Sequence, residues 1–257
     1  MANDIFADRN FFMSANIIID WGNTLVKLAR FEQGELIEHL QLTAPRYDEI
    51  STWMGHPSEC KVLICSVSSN SNEVEKQLQR EALFFLKLTH QTPVPLEVCY
   101  HTPETLGYDR LANAVAARRL REPGHHALTI DAGTCLKFDF VHAEKGYVGG
   151  AISPGLRMRY RALHEQTDAL PLLAEAQRVA LFGQSTHESM HSGVVNGMLA
   201  EIREIIRQYR AEFPECSVFL TGGDASFFEE ELKNHIFAHP FLTRIGLNDI
   251  LEFNQNR

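Results

Sequence analysis

A chain of 257 residues, 44% of them hydrophobic and 22% charged, is long enough for one large or two small globular domains. Its net charge of −9 speaks against nonspecific attachment to nucleic acid or to anionic membrane, since both select basic surfaces. No apolar run approaches the roughly 20 residues that span a bilayer, and the first nine residues carry acids where a secretory signal carries bases, so a cytoplasmic protein is expected.

Residues 1–15 read as an extension ahead of the first strand, with Met13 a second plausible start. A first domain is expected over 16–121. It opens with a strand at 16–20, a second strand at 25–31 and a hairpin turn at 32–35 into 36–42. Residues 61–67 form a buried strand. Val74, Leu78, Leu83, Phe84 and Leu88 recur at helical spacing, which predicts a helix over 72–88. A short strand is expected at 97–100 and an Ala-rich helix at 111–120. Pro123-Gly124-His125-His126 reads as the linker, placing the boundary near residue 121. The second domain, 122–257, restarts with strands at 127–131, 137–142 and 147–152. A helical stretch at 193–213 and a strand at 217–220 follow. The five cysteines (Cys60, Cys65, Cys99, Cys135, Cys216) are odd in number and lack a C-x-x-C pair, so they read as reduced core residues.

Two stretches share one pattern: Ile17-Ile18-Ile19-Asp20-Trp21-Gly22-Asn23-Thr24 and Leu128-Thr129-Ile130-Asp131-Ala132-Gly133-Thr134. Each is a β-branched run, then Asp, a glycine turn and Thr. The Asp falls at the carboxyl end of a strand, where open α/β sheets bind ligands. The glycine lets the backbone approach a phosphate, and the turn offers N–H groups to it. Val218-Phe219-Leu220-Thr221-Gly222-Gly223 is a third strand–glycine turn. Together these resemble the ATPase fold shared by actin, Hsp70 and the sugar kinases. That resemblance implies an α/β protein with two ribonuclease-H-like domains around a nucleotide cleft.

Phosphoryl transfer needs charge neutralisation and a group that orients the attacking hydroxyl. Asp20 and Asp131 are the natural cation-binding pair, and Lys27 is close enough in sequence to reach the phosphates. Asp109, in Gly107-Tyr108-Asp109-Arg110, stands at a helix start where the dipole favours its anion, and it can accept a hydrogen bond from an alcohol. Arg110 can bind a carboxylate or the transferring phosphoryl group. Asn113, one turn on, can steady Asp109. A helix-terminal acid beside a surface base is the plain alternative for the Asp109–Arg110 pair.

With these pieces assembled, the chain is similar to the type III pantothenate kinases. The similarity rests on Asp20–Thr24 with Lys27, Gly107–Arg110 with Asn113, Asp131–Thr134, Gly149-Gly150-Ala151-Ile152-Ser153-Pro154-Gly155, Gly183-Gln184-Ser185-Thr186 with Ser192-Gly193, and Thr221-Gly222-Gly223. It implies phosphorylation of pantothenate to 4′-phosphopantothenate by ATP with Mg²⁺, the first step of coenzyme A synthesis. Asp20, Trp21, Gly22, Asn23, Thr24, Leu25, Val26 and Lys27 would form the ATP phosphate loop, with Thr134 a further ATP contact. Asp109 would be the proton acceptor. Tyr100, Gly107, Tyr108, Asp109, Arg110 and Thr186 would line the pantothenate site, Asp131 would hold K⁺ or NH₄⁺, and the protein would be a homodimer. Trp21, Tyr108, Cys135 and Lys137 depart from the usual pattern.

Other readings stand beside this one. Tyr100 also reads as an ordinary half-buried aromatic, Thr186 as a helix N-cap, and Gly149-Gly150 and Pro154-Gly155 as plain turns. A non-catalytic regulator on the same fold is a second class of function. His187-Glu188-Ser189-Met190-His191 matches the zinc-hydrolase pattern H-E-x-x-H, though a surface pair of histidines reads better.

Overall fold

The Ile17-Ile18-Ile19 run is fully buried, as a strand covered on both faces requires. The computed structural model describes residues 14–22, 25–66, 69–174, 176–232 and 236–257. Residues 1–13, 23, 24, 67 and 68 lie outside that set, and with them most of the expected extension, Asn23 and Thr24 of the first loop, and the end of the expected 61–67 strand. The chain divides into two compact units, Met1–Pro93 with Ile250–Arg257, and Val94–Asp249.

In the first unit, β1 (Ala15–Trp21) pairs antiparallel with β2 (Val26–Glu32), which pairs antiparallel with β3 (Glu35–Leu42). Gln33 and Gly34 both take positive φ, 55° and 82°, which suits the two-residue hairpin turn expected there. Helix α1 (Tyr47–Met54) leads to β4 (Cys60–Ser66), which runs parallel to β1. Helix α2 (Asn72–Glu81) leads to β5 (Phe84–Lys87), parallel to β4. The sheet order is β3-β2-β1-β4-β5. Ile17, Ile19, Trp21, Leu28, Val62 and Ile64 pack on Ile50 and Met54 of α1 and on Val74 and Leu78 of α2.

The helix expected over 72–88 therefore ends early. Ala82 is extended (φ −71°, ψ 147°), and the apolar run that follows pairs with β4 as an edge strand. Leu83, Phe84 and Leu88 continue the helical spacing by coincidence. Periodicity alone does not separate a helix end from a short apolar strand.

In the second unit, residues 97–100 make a single bridge, Val98 to Tyr147, in place of the expected strand. Helix α3 (Tyr108–Leu120) is followed by β6 (His126–Ala132), β7 (Cys135–His142) and β8 (Gly146–Pro154), an antiparallel meander. Then come α4 (Leu156–Glu165), α5 (Thr186–His191), a π turn at Ser192–Asn196, and α6 (Gly197–Glu212). Strand β9 (Cys216–Thr221) runs parallel to β6, α7 (Ala225–Leu232) follows, and β10 (Phe237–Ala238) runs parallel to β9. Helix α8 (Leu242–Gln255) closes the chain.

The second sheet reads β10-β9-β6-β7-β8, which is the order of the first sheet reversed in writing only. In both units a three-strand antiparallel meander is continued, on the far side of its first strand, by two strands parallel to it. The sequence echo is thus an echo of topology: β1 corresponds to β6 and β2 to β7.

The division of contacts falls at Pro93/Val94 rather than near residue 121. Helix α3 explains this. It packs on β6, β7 and β8, so it belongs to the unit that follows it, and the turn at 123–126 is internal to that unit. Helix α8, which the sequence pattern did not reveal, also serves the first unit. There Glu252 accepts from Asn16 Nδ2 at 3.2 Å and Gln255 Oε1 accepts from Lys61 Nζ at 2.8 Å. Cys60, Cys65 and Cys216 are buried as expected, whereas Cys99 is exposed, because the 97–100 segment is not a core strand, and Cys135, the first residue of β7, is half-buried.

Candidate active site

Asp20 lies at the carboxyl end of β1, and Gly22 N donates to Leu25 O at 3.1 Å to close the turn that follows. Trp21 and Val26 are buried (5% and 1% exposed) in the core of the first unit, so any contact they make with a ligand is through backbone. Gly22 and Leu25 are exposed. Lys27, directly across β1–β2 from Asp20, places Nζ 3.7 Å from Asp20 Oδ2.

In the second unit the pleat sorts side chains by face. Leu128, Ile130, Leu136, Phe138 and Phe140 join the core that α4, α6 and α7 complete. Asp131, Lys137 and Asp139 alternate with them and face the other way, where the start of α3 meets them. Two glycine motifs press on the Asp131 turn. Gly222 has φ +101°, and a Cβ there would stand 2.5 Å from Asp131 Oδ1 and 2.4 Å from Ala132 O. A Cβ on Gly155 would stand 2.2 Å from Gly133 O, so Pro154-Gly155 is not a plain turn but the end of β8 and the N-cap of α4 laid against this loop. Gly149 and Gly150 are likewise strand residues, within β8. Thr134 at the tip is exposed.

Gly107 is the N-cap of α3. A Cβ there would fall 2.6 Å from Asp109 Oδ1, so only glycine leaves the carboxylate its place. Tyr108 is the first helical residue, and Arg110 N donates to Asp109 Oδ1 at 2.9 Å. Lys137 joins the two acids: its Nζ donates to Asp109 Oδ2 and lies 2.7 Å from Asp131 Oδ2. Burial pushes the Asp109 carboxyl up, and the charge and hydrogen bond of Lys137 more than offset this, leaving it below the usual carboxylate value. Burial pulls Lys137 down, and Asp131 and Asp109 outweigh that, so its ammonium stays charged.

Arg110 is buried and sends Nε (2.8 Å) and Nη2 (2.7 Å) to Asp139 Oδ1, which also accepts from Tyr147 Oη at 2.8 Å. Burial would lower the guanidinium, and Asp139 more than restores it. Its carbon lies 5.8 Å from the centre of the Tyr100 ring, and the Tyr100 and Tyr147 rings are 5.7 Å apart. The structure thus gathers Tyr100, Gly107, Asp109, Arg110 and Asp131 around three residues absent from the sequence reading of the site: Lys137 read as a departure, while Asp139 and Tyr147 had no role. The tight Gly133-Thr134 turn was the available signal, because it fixes the β6–β7 register and so sets Lys137 opposite Asp131. Asn113 does not steady Asp109. Its Oδ1 accepts from Thr243 Oγ1 of α8 at 2.8 Å.

Thr186 is the first residue of α5 and is exposed; the cap is Ser185, whose Oγ accepts from Glu188 N at 3.2 Å. The H-E-x-x-H pattern is dispersed. His187 is exposed, and Glu188 accepts from Gln184 N at 2.7 Å. His191 is buried (5% exposed), with Nδ1 2.9 Å from Tyr160 Oη, so the expected surface pair is half an interior one. Among the described residues no three His, Cys, Asp or Glu side chains stand together as a metal site.

A family model described as type III pantothenate kinase matches residues 16–208. The chain belongs to the type III pantothenate kinase family. It is 44% identical over 239 residues to the type III pantothenate kinase of Phocaeicola vulgatus, covering 93% of this chain and 98% of that protein. It is 40% identical over 242 residues to that of Bacteroides fragilis, covering 94% and 99%. Among solved structures it resembles a conserved Campylobacter jejuni protein placed in the Baf family, with TM-score 0.61 at 20% identity over 94% of this chain and all of that one. It also resembles component A of Acidaminococcus fermentans (R)-2-hydroxyglutaryl-CoA dehydratase, with TM-score 0.50 at 15% identity over 93% and 96%. Both show the fold alone, the actin/Hsp70/sugar-kinase type. By family membership the protein is a pantothenate kinase, an ATP-dependent phosphotransferase of coenzyme A biosynthesis.

Proposed function

We propose that Asp109 is the residue that receives pantothenate in this kinase. It accepts the hydrogen bond of the 4′-hydroxyl and aims that oxygen at the γ-phosphorus of ATP for in-line attack. The observation that carries this reading is the Asp109 carboxylate itself. It is 45% exposed at a helix start, yet fixed on its other side by Lys137 and by the N–H of Arg110. A loose phosphoryl-transfer transition state asks mainly for positioning and charge neutralisation, and this acid supplies the first.

In the second unit Tyr100, Gly107, Tyr108, Arg110 and Thr186 accompany it as pantothenate contacts, and Thr134 as a contact to ATP. In the first unit the turn from Asp20 to Lys27 takes the phosphates of ATP, which brings Mg²⁺ with it. The backbone of Gly22 and the Lys27 ammonium are the groups suited to that task. The test is ADP release by purified protein with MgATP, with and without pantothenate. Pantothenate-dependent ADP is expected. Its absence from a folded protein would favour a regulator that only binds.

A homodimer is part of the same proposal. Ile152, Leu172, Leu181 and Phe182 are 61%, 56%, 83% and 72% exposed on the second unit, apolar side chains that a second copy of the chain could cover. Sedimentation at micromolar concentration is expected to give twice the chain mass, and a monomer would end this part of the reading. Among the described residues no helix is long and apolar enough to cross a membrane. We place the enzyme in the cytoplasm with its ATP, and recovery in another cell fraction would speak against that. The family resemblance further implies K⁺ or NH₄⁺ at Asp131, where the structure sets the ammonium of Lys137.

A further inference from the structure

Lys137 stands across β6–β7 from Asp131 as Lys27 stands across β1–β2 from Asp20. The two pairs differ in closure. Lys27 is 46% exposed and 3.7 Å from its acid, whereas Lys137 is 15% exposed and 2.7 Å from Asp131, which is itself 12% exposed. The second oxygen that Lys137 reaches belongs to Asp109. A monovalent cation held by Asp131 beside Asp109 would need these oxygens and would face a charged ammonium at contact distance in a largely buried place. Like charges so placed repel strongly. The residues present therefore do not fit a free K⁺ or NH₄⁺ ion at Asp131.

We propose that Lys137 is a tethered substitute for that ion, a positioning residue whose ammonium occupies the monovalent-cation place, so that this kinase turns over without added K⁺ or NH₄⁺. The inference rests on the kinase reading. An ammonium on a side chain carries the same charge as the free ion and is present in every molecule, whatever the salt.

Two variants expose the place. Lys137→Met keeps the length of the stem and removes the charge, while Lys137→Ala removes the stem as well. Turnover is measured at constant ionic strength with choline chloride replaced by KCl or NH₄Cl. Thermal unfolding is measured in the same salts without ATP or pantothenate. The wild type is expected to change by less than about twofold in rate and to melt alike in all three salts, since a filled site gains nothing from a ligand it does not bind. The variants are expected to be about tenfold slower in choline, to regain several-fold in K⁺ or NH₄⁺, and to melt a few degrees higher there, because a site newly open to an ion stabilises the fold on binding it.

A wild type stimulated severalfold by K⁺ overturns the proposal and leaves the kinase reading standing. A folded variant that K⁺ neither activates nor stabilises overturns it too. A wild type with no pantothenate-dependent turnover in any salt overturns the kinase reading instead, and the melting curves still decide whether Lys137 fills a cation place. A purely structural lysine would lower activity and stability without creating any dependence on K⁺.

Discussion

Asp109→Asn is expected to lower kcat by about 10²–10⁴-fold, the usual scale for losing a positioned acid–base group, with the fold intact. Asn keeps the shape of the side chain and the room that Gly107 leaves for it. It loses the charge that draws the hydroxyl proton. It also loosens the grip of Lys137, which would keep only Asp131. Because the deficit belongs to the attacking step, kcat should fall much more than the KM for pantothenate rises. A folded Asp109→Asn enzyme within threefold of wild-type turnover would remove Asp109 from the proposed role.

The state of this acid also predicts a pH profile. Its folded value lies below the ordinary one of about 3.9, so the ionised form contributes stability above about pH 4, and that contribution is lost as pH falls through the lower folded value. Turnover should therefore show no acid limb from Asp109 between about pH 5 and 8. So weak a base does not carry the proton in the ground state. It orients the hydroxyl and takes the proton late, which suits a loose transition state. An acid limb near neutrality that Asp109→Asn abolishes would contradict this.

Asp139→Ala is the substitution expected to cost most in stability, about 3–5 kcal/mol, because it strands a buried guanidinium. Arg110 is 7% exposed and Asp139 not at all, and both nitrogens that Arg110 offers go to the same oxygen. Tyr147 would lose its acceptor as well. At roughly 2–4 °C per kcal/mol for a chain of this size, the melting point should drop by roughly 6–20 °C. Removing both partners as Arg110→Met with Asp139→Leu should cost much less, since an apolar pair leaves no orphaned charge. If the single variant melts within about 2 °C of wild type, the pair is not the anchor of the α3 start that its geometry suggests.

The parts of this protein legible in the sequence are those set by local chemistry. The β-branched run before Asp20 and its repeat before Asp131 named two strands and their turns, and Asp109 was placed at a helix start, although the helix expected over 111–120 begins three residues earlier, at Tyr108. What stayed hidden depends on partners far apart in the chain. The residues after Ala82 are apolar at helical spacing, and only the free edge of β4 makes them a strand. The boundary was misplaced because a Pro-Gly turn is a local signal, whereas the packing of α3 on β6 and β7 is not. Lys137 looked like an anomaly while it was read beside Cys135 and Thr134 along the chain. Across the hairpin it is the cross-strand partner of Asp131, and through α3 it is the partner of Asp109, 28 residues away. His191 reversed its exposure for the same reason, since Tyr160 on α4 supplies an interior partner that the spacing of H-E-x-x-H does not disclose.

The last eight residues, Ile250–Arg257, belong to the unit that begins the chain. During synthesis the strands from β1 to β5 emerge before the second unit, but the segment that binds Asn16 and Lys61 leaves the ribosome after it. The second unit, one unbroken stretch from Val94 to Asp249, can be complete while the first still waits for its closing helix. Domains commonly fold in the order in which they are made. Here the unit that is made first is the one finished last.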